Sequence, residues 1–135
     1  MKKHLCILAC ALAFVACKDG VAFEKLENKS LNIQKIIISG ETLTPSSLQD
    51  ENASITFSQK GYNGFAGCNR FFGSFSLNGD KIIFADNGGA TRMLCPPEVM
   101  RFENALLTHL VGEFTLGKEN DSFILHSNKA KIYLK

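Results

Sequence analysis

Two short motifs each carry one cysteine and one arginine: Gly67-Cys68-Asn69-Arg70, and Thr91-Arg92-Met93-Leu94-Cys95 running into Pro96-Pro97. Thiols can form a disulfide, hold a metal or exchange electrons, and guanidinium groups can grip a carboxylate bidentately. Cys68 and Cys95 are not a CxxC pair, which weakens thiol–disulfide catalysis. Two cysteines without further ligands make a poor zinc site. A Cys68–Cys95 disulfide is therefore expected, with Cα atoms about 5–6 Å apart; two buried free thiols are the alternative. His109 and His126 are the histidines outside the N-terminal segment, and both are read as surface groups. Asp86, near Gly88 and Gly89, has no spaced acidic set to complete a calcium loop. No HExxH, GxSxG or phosphate-binding loop occurs. No cofactor, metal site or catalytic set is expected.

The N-terminus explains why a disulfide is admissible. Lys2 and Lys3 precede an apolar run over residues 5–16. That run is too short for a membrane-spanning helix, which needs roughly 20 residues, and suits a signal peptide. It ends in Phe14-Val15-Ala16-Cys17, which is similar to a bacterial lipobox with Phe14 in place of the usual Leu. The reading is a signal peptide over 1–16, lipidation at Cys17, a lipidated tether over 17–31 and a domain over 32–135. Ordinary secretion with cleavage elsewhere is the alternative. Cys6 and Cys10 leave with the signal, so Cys68 and Cys95 remain as one pair in an oxidising compartment.

Removing residues 1–16 takes Lys2 and Lys3 and no acid, so Lys+Arg falls from 15 to 13 against 13 Asp+Glu. No basic run survives, and nucleic-acid binding has little electrostatic support. The 11 Phe with no Trp imply a phenylalanine-rich core, which about 119 residues are enough to bury.

The elements that must position the motifs follow from periodicity. Strands are expected over 33–39, 53–59, 62–67, 71–77, 81–84, 114–116, 122–126 and 131–134. Asn78-Gly79-Asp80 is a strong hairpin turn. Pro96 and Pro97 suit a helix start, and Gly112 a stop, so a helix is expected over 97–111. Val99, Phe102, Leu106 and Leu110 form its apolar stripe. Met100, Leu107 and Val111 widen that stripe to about half the circumference, as in a helix embraced by a sheet. The order predicts an α+β fold: a strongly curved antiparallel sheet, a cracked or half barrel, wrapped around one main helix.

Glu103 falls inside the apolar arc, where an unpaired carboxylate would cost several kcal/mol. A buried ion pair fixing helix against sheet is expected, with Arg92 as first partner and Arg70 as second. A charged anchor for a ligand entering the barrel is the functional alternative.

Gly67, Cys68, Asn69 and Arg70, then Thr91, Arg92, Met93 and Cys95, then Met100 and Glu103, resemble the motifs of the META domain (HslJ-like) family. The resemblance covers about residues 32–135 and implies a small α+β domain with a bent antiparallel sheet around one helix. It implies no established catalytic residues. Bacterial members are often lipoproteins or envelope proteins linked to stress tolerance, a trypanosomatid member is linked to virulence, and the fold is similar to lipid-binding pilot lipoproteins of secretion systems. The reading is a monomeric, lipid-anchored cell-envelope module that binds an envelope protein or an apolar ligand, or serves stress tolerance, without catalysis. The alternatives are a small redox or other enzyme using Cys68 and Cys95, and a purely structural envelope-stabilising domain. Lys18 rather than Asp after Cys17 favours, by resemblance to well-studied Gram-negative sorting, the outer membrane facing the periplasm.

Overall fold

The structure, a computed structural model, describes residues 20–47, 50–59 and 61–135. The expected signal peptide and Cys17 lie outside the described residues. Eleven strands and one α-helix follow a 3-10 turn at Phe23–Lys25: β1 Ser30–Ile38, β2 Glu41–Leu43, β3 Ser54–Phe57, β4 Tyr62–Phe65, β5 Arg70–Gly73, β6 Phe75–Asn78, β7 Lys81–Phe84, β8 Gly89–Ala90, α1 Pro97–His109, β9 Gly112–Glu119, β10 Ser122–His126 and β11 Ala130–Leu134.

The strands pair antiparallel in the order β6-β7-β9-β10-β11-β1-β3-β4-β5-β8, with β2 on the second half of β1. Only Ser74 separates β5 from β6, yet these two strands lie near opposite ends of that order. The sheet must therefore curl until its ends approach one another. The result is the expected α+β half-barrel, mostly sheet, around one helix.

β1 shows how the sequence pattern is reconciled with this curl. Leu31 and Ile33 are buried, but the next buried position is Ile36, because the register shifts between Ile33 and Lys35. A bulge adds one residue and resets the alternation. Ahead of the bulge β1 pairs with β3, and beyond it with β2 as well as β11.

The core is rich in phenylalanine: Phe57, Phe84, Phe102 and Phe114 are among its largest fully buried side chains. Rings meet edge to face from Phe23 to Phe57 (5.6 Å) and from Phe84 to Phe114 (5.4 Å), and Phe57 and Phe84 are 6.2 Å apart in a tilted arrangement. Such pairs add to plain area burial.

Several expected boundaries move. The segment read as tether belongs to the fold from Val21 onward. Val21 and Phe23 pack on the core, Leu26 is fully buried, and β1 begins at Ser30 rather than near 33. Too few apolar residues for a periodicity still suffice when each one fills a gap at the barrel end. The expected strand over 71–77 is broken at Ser74, where the sheet turns its corner. β2 and β8 are short strands in stretches where no strand was expected.

Candidate functional site

The two motifs and the helix do meet, at Asn69. Cys68 and Cys95 are bonded, with Cα atoms 6.1 Å apart. Gly67, just before, has φ +109°, and a Cβ there would stand 2.6 Å from the Ser46 carbonyl oxygen. Glycine is needed both for the backbone turn and for that close approach.

Asn69 is only 2% exposed, and its side chain uses both acceptor and both donor positions. Oδ1 accepts from the Met93 N–H (2.6 Å) and the Thr91 hydroxyl (3.0 Å). Nδ2 donates to the Met93 carbonyl (3.1 Å) and to Glu103 Oε1 (2.5 Å). Thr91 Oγ1 also accepts from the Arg70 N–H (3.1 Å), and the Thr91 N–H donates to the Arg70 carbonyl (2.9 Å). One asparagine thus ties the β4–β5 turn, the 91–96 loop and α1 together.

Glu103 is buried, at 2% exposure, as its place in the apolar arc required. Its partners differ from the expected ones. Oε2 accepts from the backbone N–H groups of Cys68 (3.2 Å) and Asn69 (2.7 Å), and Oε1 from Asn69 Nδ2. Neither arginine reaches it. Arg70 points outward, pairs with Glu51 at 2.9 Å and lies over the Phe65 ring. Arg92 is exposed and makes no ion pair among the described residues. A cation is unnecessary because backbone donors converge on the carboxylate without the desolvation cost of a buried guanidinium. Arg70→Met and Arg92→Met should each change unfolding free energy by less than about 1 kcal/mol in urea titrations, the range of exposed pairs. A larger loss at Arg92 would contradict this placement.

Beside the lock lies an open groove of about 620 Å³ between α1, β8 and the 91–96 loop. Its walls include Phe72 (58% exposed), Met93 (53%), Leu94 (97%) and Val111. Half-buried Met100 and Leu107 complete its helical side. Four of the five large apolar side chains most exposed among the described residues therefore converge here; the fifth, Leu77, does not line the groove. The unexpectedly wide stripe on α1 has this explanation. Val99, Phe102 and Leu106 are buried, while Met100 and Val111 line the groove and half-buried Leu107 both packs on the core and lines it. Tyr62 is the aromatic floor. Burial raises its hydroxyl above the ordinary tyrosine pKa. Its ring passes so close to Gly73 that a Cβ there would sit 2.3 Å from the hydroxyl oxygen.

The two histidines stay apart from the Asn69–Glu103 lock. His109 Nδ1 lies 2.8 Å from the Ala105 carbonyl, one helical turn back. With His126 it borders a second depression of about 820 Å³, which meets the groove at Thr108 and Val111 and where Lys81 pairs with Glu113 at 3.2 Å. Asp86 is exposed on the groove wall. No group of three or more His, Cys, Asp or Glu among the described residues is placed to hold a metal ion. No helix among them is long and apolar enough to cross a membrane.

A curled antiparallel sheet locked onto one helix through Asn69 and Glu103, with a groove of mixed polar and apolar lining beside the lock, defines a small half-barrel domain. The chain belongs to the META domain family, whose model matches residues 24–134. That match begins within the segment first read as tether, where Leu26 is buried. No match was found among curated proteins. Among solved structures, the chain is similar to a Burkholderia xenovorans protein determined by NMR, at 24% identity and a TM-score of 0.66, over 83% of each chain. A second NMR structure is 22% identical with a TM-score of 0.63, over 85% of this chain and 94% of that one. At such identities these likenesses establish the fold.

Proposed function

We propose that this META-domain protein is a non-catalytic binding module of the cell envelope, held at the membrane through a lipid on Cys17, and that its binding surface is the groove beside α1. The observation that carries the reading is the convergence of Phe72, Met93, Leu94 and Val111 on that groove. Single exposed apolar residues are ordinary on a soluble domain, whereas a contiguous patch marks an interaction site. The wall is also held in place before any partner arrives. Asn69 grips Met93 through both its N–H and its carbonyl, and the disulfide fixes the loop two residues further on. Such preorganisation lowers the cost of binding. The Cys68 side of the disulfide is buried, which disfavours thiol exchange, since reactive cysteines are accessible. Service in envelope stress tolerance at the outer membrane is part of the same proposal.

The test uses an apolar fluorescent dye, anilinonaphthalene sulfonate, with the folded protein. Leu94→Asp should abolish dye binding and leave the unfolding midpoint nearly unchanged, since Leu94 buries nothing. Leu77→Asp, at the exposed apolar residue away from the groove, should leave dye binding intact. Equal loss in both variants would remove the groove from the account. For the anchor, Cys17→Ala should leave the protein unprocessed or in the soluble fraction; a processed, membrane-bound variant would rule out lipidation there.

A further inference from the structure

We infer that the groove rim docks on the bilayer surface itself, so that Leu94, Met93, Phe72 and Val111 dip into the headgroup–acyl boundary of the membrane that carries the anchor. This rests on the lipid-anchor reading of Cys17, and three observations carry it further.

The first is length. The fold reclaims the expected tether as far back as Val21, which packs on the core. Only Lys18, Asp19 and Gly20 then separate Cys17 from the folded domain. Four residue steps of fully extended chain span at most about 14 Å. A domain held that closely cannot reach across an envelope compartment to a distant partner. It rests against the headgroups.

The second is where the chain enters. The Phe23 ring lies 5.2 Å from the Phe75 ring and 5.6 Å from that of Phe57. Phe75 follows Phe72, a wall of the groove, by three residues, or at most about 11 Å of extended chain. From Phe57 the ring contacts lead through Phe84 to Tyr62, the groove floor. The entry segment and the groove wall are therefore joined through Phe75 and Phe72 within one short stretch of chain.

The third is the chemistry of the patch. Leu94 is 97% exposed and projects from the groove rather than filling it. Its loop is held rigid by the disulfide and by Asn69. Next to Met93-Leu94 stands Arg92, exposed and without an ion pair among the described residues. Apolar tips beside a free cation suit an interface where acyl chains meet anionic phosphates. Asp86 also lines the groove, so net charge contributes little and the burial of apolar tips drives the contact. The anchor makes docking intramolecular, and a modest affinity suffices.

The sequence supplies a clean reporter, because it contains no tryptophan. Leu94→Trp introduces a single one at the tip. Glu119→Trp places one at the far end of β9, seven residues from Gly112 and about 23 Å along the strand. Each variant, checked by thermal melting, is purified from membranes, its lipid verified by mass spectrometry, and reconstituted into vesicles of phosphatidylcholine and phosphatidylglycerol. The Leu94→Trp emission should shift to the blue and be quenched by acyl-chain-brominated lipid, while the Glu119→Trp emission should remain that of water and unquenched. Arg92→Gln in the Leu94→Trp background should lower the quenching on anionic vesicles only slightly, because the apolar tips drive the contact. An unquenched, water-like Leu94→Trp overturns membrane docking and leaves the groove open to a soluble ligand or protein, so the proposed function survives. If mass spectrometry shows no lipid, the anchor reading fails on its own. The same Leu94→Trp protein is then titrated with the anionic vesicles: a blue shift with quenching supports docking, and its absence overturns it.

Discussion

Glu103→Gln should destabilise the domain by about 2–3 kcal/mol, and Glu103→Leu by about 4 kcal/mol, with each buried donor left without an acceptor costing about 1–3 kcal/mol. The near-isosteric amide is the informative variant. Both oxygens of Glu103 act as acceptors: Oε2 for the Cys68 and Asn69 N–H groups, Oε1 for Asn69 Nδ2. An amide has one oxygen, so its NH2 group must face a donor whichever way it turns. Nothing about size or shape changes, yet one side of the site becomes a donor–donor contact in a place water cannot reach. Against a total stability of about 5–15 kcal/mol, the leucine variant should unfold at markedly lower urea with an unchanged slope. Combining Glu103→Gln with Asn69→Ala should give much less than the sum of the two, since they share a hydrogen bond. Combining it with Arg92→Met should be additive within about 0.5 kcal/mol. Strong coupling to Arg92, or a Glu103→Gln protein as stable as the parent, would refute the neutral-donor lock.

The same residue marks the boundary of what the sequence disclosed. Helical periodicity placed Glu103 in the apolar arc, and it is buried there. The assumption that a buried carboxylate needs a cation then pointed to Arg92 and Arg70. The true donors are two backbone N–H groups and an amide, and backbone donors leave no trace in a residue list. They become available only because Gly67 turns the chain with a positive φ, and a one-dimensional pattern does not reveal that convergence. Asn69 was visible as a motif residue. Its fourfold use was not, because it depends on where residue 93 falls in space.

The groove was half legible. A seven-residue apolar stripe on one helix is wider than a core needs, and that excess was noticed. It was assigned to an enclosing sheet, whereas the sheet stops at the two-residue β8, leaving Met100, Leu107 and Val111 beside a gap. The tether was misjudged for a related reason. Val21, Phe23 and Leu26 are too few and too irregular to register as an element, but they pack against an end of the barrel that later strands create. Local pattern carries secondary structure well. Closure of a curled sheet depends on pairing between strands far apart in sequence, and short pieces that seal its ends are read correctly only once it is closed.

Removing the disulfide should cost about 3.5 kcal/mol by the loop-entropy relation, given the 27-residue separation of Cys68 and Cys95. The double variant Cys68→Ser/Cys95→Ser, or the parent under dithiothreitol, should show this as a lower melting temperature and a lower urea midpoint. The manner of the loss matters more than its size. Met93 is held by Asn69 at both backbone groups, and the Cys68 N–H is held by Glu103, so the loop keeps its hydrogen bonds when the sulfurs part. The effect should therefore fall on the unfolded chain, which expands without its cross-link and exposes more surface. A steeper urea dependence in the reduced form is the expected signature. Dye binding in the groove, measured well below the melting temperature, should persist. Glu103→Gln should do the reverse, weakening the groove wall while leaving the cross-linked unfolded chain and its urea slope as they were. If reduction instead abolishes dye binding in a still-folded protein, the covalent bond rather than the Asn69–Glu103 lock holds the wall. In that case the groove would be open only where thiols are oxidised.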